Sequence, residues 1–358
     1  MPPATNEKQF QKRVRLERRR LRKLLKARRR RRCARRRGSF RQCPPLLVVK
    51  AIKPVSSHFE LQETSFNYSV PPRLDFANDA EDTLRFFDKL RILLSARTWR
   101  AVHLDHSKCE YISPEAVLVL IAELYRGDKF NPKLKKLCTF PQRNEIRELL
   151  QQIGYFRYFR GEVPTTQGSL KQHFLSHMHG KLTKGSTVKS LLDHFSEVFD
   201  FTVQSKALLY NALIECMNNV LEHAYPNRKT DEFSYVEWWL LGYRDSTTGD
   251  IYFCFFDQGE CIPKTIRTRL KDKIRSGSAL IRQAVEEGVS RTKKNTRGRG
   301  LPSLKKFVDE AIDGDLSIVS HKNQCIFHKG REPRESTFNS VLRGTLITWN
   351  IRGAIKNT

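Results

Sequence analysis

From Arg73 onward, apolar residues recur at regular spacings, and the spacing switches between helix and strand. Leu84, Phe87, Leu90 and Leu94 lie three or four apart and predict a helix over Asp82 to Ala96, while the short apolar run Ala101 to Leu104 predicts a buried strand. Ser113-Pro114-Glu115 opens an apolar helix over Ala116 to Leu124, with Ser113 as its N-cap and Glu115 near its start. Another amphipathic helix, Asn144 to Ile153, stops at Gly154. Helix and strand alternating at these lengths predict a small α/β domain.

Beyond a polar stretch from Gly180 to Ser190, helical spacing runs to Phe199 and resumes in KALLYNALIECMNNVLEHAYP. There Leu209, Leu213, Cys216, Met217, Val220 and Ala224 form one apolar face. Asn211, Glu215, Asn219 and Glu222 follow at steps of four, four and three on a polar stripe. A Glu and an Asn one turn apart can share a nucleotide site. The Glu would orient a water or an acceptor hydroxyl and the Asn carbonyl oxygen would bind Mg²⁺; a solvated helix face has the same spacing.

Three later segments add chemistry. Ile251 to Phe256 reads as a buried strand ending in Asp257-Gln258-Gly259-Glu260-Cys261-Ile262-Pro263. An Asp there, followed by Gly, can reach the exocyclic amine of adenine from a turn that lets backbone approach the base. Arg297-Gly298-Arg299-Gly300-Leu301 places glycines just before a helix over Leu304 to Ala311, where free N–H groups and the helix dipole suit phosphate oxygens. Arg343-Gly344-Thr345 begins a closing strand to Ile351, and its Gly-Thr start can sit beside a base.

Composition changes this picture at one end. Residues 1–50 hold 20 Lys and Arg against Glu7 and Glu17, and so carry most of the formal charge of +28. Like charges repel and there is little apolar surface to offset ordering, so residues 1–53 predict a basic arm that is disordered alone, or helical on an acidic surface. Its expected partner is nucleic acid or another polyanion; a purely solubilising extension has the same composition. Residues 54–72, punctuated by Pro54 and Pro71-Pro72, read as a linker or an added edge strand. No apolar run reaches the roughly 18–20 residues a membrane span needs, and the eight cysteines show neither C-x-x-C pairs nor zinc-ligand spacing. A cytoplasmic protein with reduced thiols is the expectation.

The stretch AVHLDHSKCEYISPEAVLVLIAEL with EIRELLQQIGYFRYF resembles the STAS fold of anti-sigma-factor antagonists, which implies a STAS-like domain over 73–163 and a protein partner for it. That family carries an acceptor hydroxyl in the loop that here reads Ser113-Pro114-Glu115-Ala116, so the resemblance does not extend to a phosphorylation switch. The segments E-x-x-x-N-x-x-x-H-A-Y, D-x-G-x-C-I-P, G-x-G-L and G-T, in that order, resemble the ATPase superfamily of gyrase, heat-shock chaperones, histidine kinases and mismatch-repair proteins. Their anti-sigma serine-kinase branch is the nearest in pattern.

This resemblance implies an α/β chain: the STAS-like domain followed, over 164–358, by a two-layer α/β sandwich of the Bergerat type with a mixed sheet. It implies ATP and Mg²⁺ as ligands. Glu215 would be the general base, Asn219 the metal ligand and Asp257 the adenine-reading carboxylate, with Gly259 in its turn. Gly298, Arg299, Gly300 and Leu301 would form the phosphate loop, and Thr345 a contact near adenine. Residues 264–297 would be the lid, with Lys264, Arg267, Lys271, Lys273, Arg291, Lys293 and Lys294 within it. Cys261 stands where the family has a second glycine. The functional expectation is an ATP-binding regulatory protein, with slow hydrolysis or phosphoryl transfer left open. The alternatives are a serine/threonine kinase of the anti-sigma type and a nucleic-acid-binding protein on a degenerate nucleotide fold.

Overall fold

The computed structural model describes residues 65–96, 98–160, 178–181, 183, 185–198, 202–225, 237–245, 248–270, 275–287, 300–311 and 314–352. The arm over 1–53 lies outside them, and Ser65–Thr358 form one compact unit. That unit is α/β. Strands β1 (Ser65–Ser69), β3 (Ala101–Asp105) and β5 (Lys135–Cys138) make a parallel sheet in the order β1-β3-β5, so the segment before Arg73 does contribute an edge strand. A two-residue parallel pair, β2 (Arg73–Leu74) and β4 (Tyr111–Ile112), lies beside it.

The two longer helices of this first half are α1 (Ala80–Ser95) and α2 (Pro114–Phe130). The predicted starts are close, but Ser113 differs from expectation. It occupies the N-cap position of α2 without making a side-chain cap hydrogen bond, and it is buried with its hydroxyl lacking a good partner. Pro114 at the first helical position sets the helical φ instead. Helix α3 (Asn144–Gln152) ends as expected, with Gly154 in the left-handed region at φ 77.

The second half is a five-stranded sheet, ordered β6-β7-β8-β10-β9, in which every described pairing is antiparallel. Its strands are β6 (Met178–Gly180), β7 (Trp238–Arg244), β8 (Ile251–Asp257), β9 (Gly314–His328) and β10 (Arg334–Ile351). The mix of parallel and antiparallel pairing therefore falls between the two sheets, not within one. One face, carrying Trp238, Leu240, Phe253, Phe255, Ile347 and Trp349, is covered by helices α4 (Gly185–Val198), α5 (Val203–Asn219) and α8 (Gly300–Ala311). All six apolar residues expected on the buried side of α5 are buried.

The opposite face is covered too. Helix α2 packs on β7 and β8, and α1 packs on β10. Tyr125 of α2 meets Trp239 edge-on at 6.1 Å and donates to Glu237 Oε1 at 3.1 Å. At the N-terminal end of α1, Glu81 accepts from the backbone N–H groups of Asn339 (2.8 Å) and Ser340 (3.2 Å), pinning β10. Burial on both faces explains two features of the sequence: β8 reads as a continuous apolar run, and α2 is buried around nearly its whole circumference.

Candidate nucleotide site

Asp257 and Thr345, two of the residues expected from sequence, pair where β8 and β10 run side by side, and the chain after β8 approaches the turn that follows α5. Thr202 caps α5 by accepting from the Ser205 N–H at 3.0 Å, and the α-helix runs to Asn219 before widening into a π-turn over Val220–Ala224. Such turns reposition side chains locally and are frequent at functional sites. Here the π-turn delivers Ala224 to the chain after β8. Its carbonyl accepts from the Glu260 N–H at 2.6 Å, and a Cβ on Gly259 would lie 2.5 Å from Ala224 Cβ and O. Only glycine permits that approach, so Gly259 has a steric reason independent of any ligand.

Asp257 ends β8 and is 7% exposed. Its Oδ1 accepts from the Gly259 N–H at 2.8 Å, and burial pushes its carboxyl up to about 7. Thr345 is its register partner across the β8–β10 ladder. Between them Gly344 sits at φ 116, where a Cβ would fall 1.8 Å from the Asp257 carbonyl oxygen. Thr345 is buried, and its hydroxyl lies 2.9 Å from that of Ser320, which also accepts from the Ile262 N–H at 3.0 Å.

Glu215 and Asn219 project from the neighbouring helix. Burial, with the charges of Glu215 and Asp257, raises the buried Cys216 thiol. The Glu215 carboxyl is raised by partial burial and by the charge of Glu222. Asn219 has a buried side-chain nitrogen with no hydrogen-bond partner. A buried carboxamide with an unpartnered atom is compatible with a ligand-binding role, since its oxygen and nitrogen exchange by a simple flip. Oxygen donors from Asn219 and Glu215 suit Mg²⁺, which prefers oxygen ligands.

The phosphate loop is only partly described. Gly298 and Arg299 lie outside the described residues; Gly300 opens α8, and Leu301 packs against the main core. Where a lid was expected, helices α6 (Ile262–Leu270) and α7 (Gly277–Glu286) bury Ile266, Leu280 and Ala284 together. Lys264 pairs with Glu260, and Arg267 donates to the Arg275 carbonyl at 2.8 Å. Lys271, Lys273, Arg291, Lys293 and Lys294 fall outside the described residues. A cavity of about 670 Å³ is lined by Gly259 and Gly344 and, among others, by the cations Lys264, Arg267, Lys322 and Arg343 together with Glu260; Glu215 and Asn219 do not line it.

Cys261 turns out to need no glycine. Its φ is not in the left-handed region, and its carbonyl accepts from the N–H groups of Lys264 and Thr265, both at 3.1 Å, which starts α6. Burial raises its thiol, so it stays protonated. Replacing Cys261→Gly is expected to change nucleotide affinity by less than about threefold by calorimetry, since the substitution relieves no strained φ and removes no backbone hydrogen bond. A change of tenfold or more would mean that the side chain shapes the pocket.

Sequence reasoning missed Ser320, and it missed the role of Tyr225, whose hydroxyl accepts from the Gln258 N–H at 3.2 Å and donates to the Glu237 carbonyl at 3.3 Å. No short-range pattern marks a serine that works across a strand pair. Tyr225 was visible only as part of the H-A-Y string.

No family model matches the chain, and no curated protein matches it. Among solved structures, the crystal structure of the SiaB-SiaC complex from Pseudomonas aeruginosa is similar over 51% of this chain and 91% of that chain, at 14% identity and a TM-score of 0.27, a likeness too slight to carry an argument.

Proposed function

We propose that this chain is an ATP-binding regulatory protein. In this reading Asp257 accepts from the adenine amine, Thr345 and Ser320 complete the base pocket, and Asn219 with Glu215 faces the phosphates. The observation that carries the reading is the construction around Asp257. At the end of β8 a carboxylate is buried at the cost of an upward pKa shift, with the Gly259 N–H as its hydrogen-bond donor among the described residues. Buried, weakly satisfied acids are retained where a ligand supplies the missing partner.

Asn219 would hold Mg²⁺ through its carboxamide oxygen. The cation, when bound, neutralises phosphate charge. The test is a calorimetric titration of Mg²⁺-ATP into the wild type and Asp257→Asn. Binding that the substitution abolishes supports the site; no binding by the wild type at millimolar ATP ends the proposal.

Glu215 favours a second reading, as a kinase of the anti-sigma type. Its carboxylate makes no hydrogen bond among the described residues, and its raised pKa brings it closer to the range useful for a base. If ATP is turned over, Glu215→Gln should leave affinity within about threefold and lower phosphate release or transfer by about a hundredfold or more, the upper part of a general base's usual contribution. Equal rates in the two proteins would remove Glu215 from the chemistry. For the STAS-like half we propose a protein partner that uses faces other than the α1–α2 pair, since that pair is spent on the chain's own sheet. The arm's proposed polyanion partner is tested by salt-dependent binding that disappears on deleting residues 1–53.

A further inference from the structure

Helix α2 carries one acid that its apolar surroundings do not explain. Glu123 is 2% exposed, and three side chains converge on it. Arg91 of α1 donates to Oε1 at 2.9 Å, Arg126 donates to Oε2 at 3.0 Å, and Gln258 Nε2 donates to Oε1 at 2.9 Å. Burial pushes the Glu123 carboxyl up, but the two guanidinium groups outweigh it and hold the carboxyl below its usual range. Arg126 is held in turn by the Arg91 carbonyl and the Ser95 hydroxyl, both at 3.0 Å. Arg91 reaches further, to the Arg343 carbonyl at 3.4 Å.

The two ends of this cluster are not arbitrary. Gln258 stands between Asp257 and Gly259, and Arg343 precedes Gly344. The cluster therefore grips both strands of the pairing that shapes the adenine-reading turn, from the face opposite α5. A buried ion cluster contributes little net stability against an apolar replacement, so its retention calls for another reason.

We propose that Glu123 and Arg91 are positioning residues for the nucleotide turn, acting through Gln258 and the Arg343 carbonyl. The parallel-sheet half of the chain is then part of the nucleotide site and sets its affinity. The inference rests on the nucleotide reading above for its functional half; its structural half stands alone. Charged buried groups hold direction better than apolar contacts because their hydrogen bonds are short and angular. Removing Gln258 from the cluster frees the turn to sample other geometries, and a ligand that needs one geometry must then select it.

The experiment compares wild type, Gln258→Ala and, as a control, Arg85→Ala, which removes an exposed pair with Asp82 on the same helix and touches no member of the Glu123 cluster. Gln258→Ala leaves the ion cluster intact and so avoids the unfolding that Glu123→Gln would risk. Without nucleotide, amide exchange at Gly259 and Glu260 is expected to speed up at least tenfold in Gln258→Ala and to stay unchanged in Arg85→Ala. Unchanged exchange in Gln258→Ala overturns the inference. With ligands, adenosine affinity should fall about tenfold while inorganic tripolyphosphate affinity holds, a split that general loss of stability would not produce. If both affinities fall equally, the positioning role is overturned. If exchange speeds up but wild type binds neither ligand, the clamp on the turn stands and the nucleotide reading fails.

Discussion

Asp257→Asn is expected to be more stable than the wild type above pH 7 while losing Mg²⁺-ATP. The sign follows from the raised pKa. In the folded chain burial places the Asp257 carboxyl at about 7; in the unfolded chain it returns to roughly 3.9. The folded state thus holds a proton that the unfolded state has released between those values. Stability from this group is full below about pH 4, declines as pH rises through the window from about 4 to 7, and stays low above it. Asparagine has the same shape, can still accept from the Gly259 N–H, and carries no charge to bury. The gain should grow from near zero at pH 4 to on the order of 2–4 kcal/mol at pH 8. For a folded unit of this size it would appear as a melting temperature higher by roughly 5–10 °C. Thermal unfolding at pH 4.5, 6 and 8 reads it directly. A pH-independent difference would show that Asp257 is not titrating as described. Wild-type ATP affinity should rise across the same window, because the ionised carboxylate is the stronger acceptor for the adenine amine and carries no proton directed at it.

Gly344→Ala is expected to cost about 2–4 kcal/mol and to remove nucleotide binding with it. Two penalties coincide there. At φ 116 an L-residue is strained, and its Cβ would meet the Asp257 carbonyl oxygen at 1.8 Å. Relief would require β10 to move away from β8, breaking the ladder that pairs Thr345 with Asp257. Gly330 separates the two penalties: it has φ 67 with open space where a Cβ would go, so Gly330→Ala carries the conformational cost alone, about 1 kcal/mol. Urea unfolding of both variants makes the comparison. Equal losses would mean that the contact with Asp257 is relieved cheaply.

Local pattern was enough to find several elements and to place Asp257 and Thr345 on strands that pair. The α5 face was legible because period 3.6 is a one-dimensional signal, and β8 because its apolar run ends abruptly at Asp257. Gly259 and Gly344 were legible as glycines, but not as positions where Ala224 and the Asp257 carbonyl exclude any side chain, since both contacts join distant segments. The Glu123–Gln258 bond spans 135 residues and leaves no periodic trace beyond one acid in an apolar helix. Helix α2 illustrates the limit best: a helix apolar on every side says that it is buried, and gives no direction for what buries it. The length of β10 was likewise hidden, because its first half, from Arg334, is polar and half-exposed and lacks the apolar run that marked Arg343 to Ile351.

Burial of the five-stranded sheet on both faces also imposes an order in time. Ribosomes make α1 and α2 first, yet the strands that cover α2, β7 and β8, end only at Asp257, and β10, which covers α1, only at Ile351. At ordinary elongation rates the apolar flank of α2 waits on the order of ten seconds for Trp239 and Phe256 to emerge. Throughout that interval α2 has α1 to pack against but leaves the flank that β7 and β8 will cover in water, and capture of that flank by a chaperone during synthesis is the expected consequence.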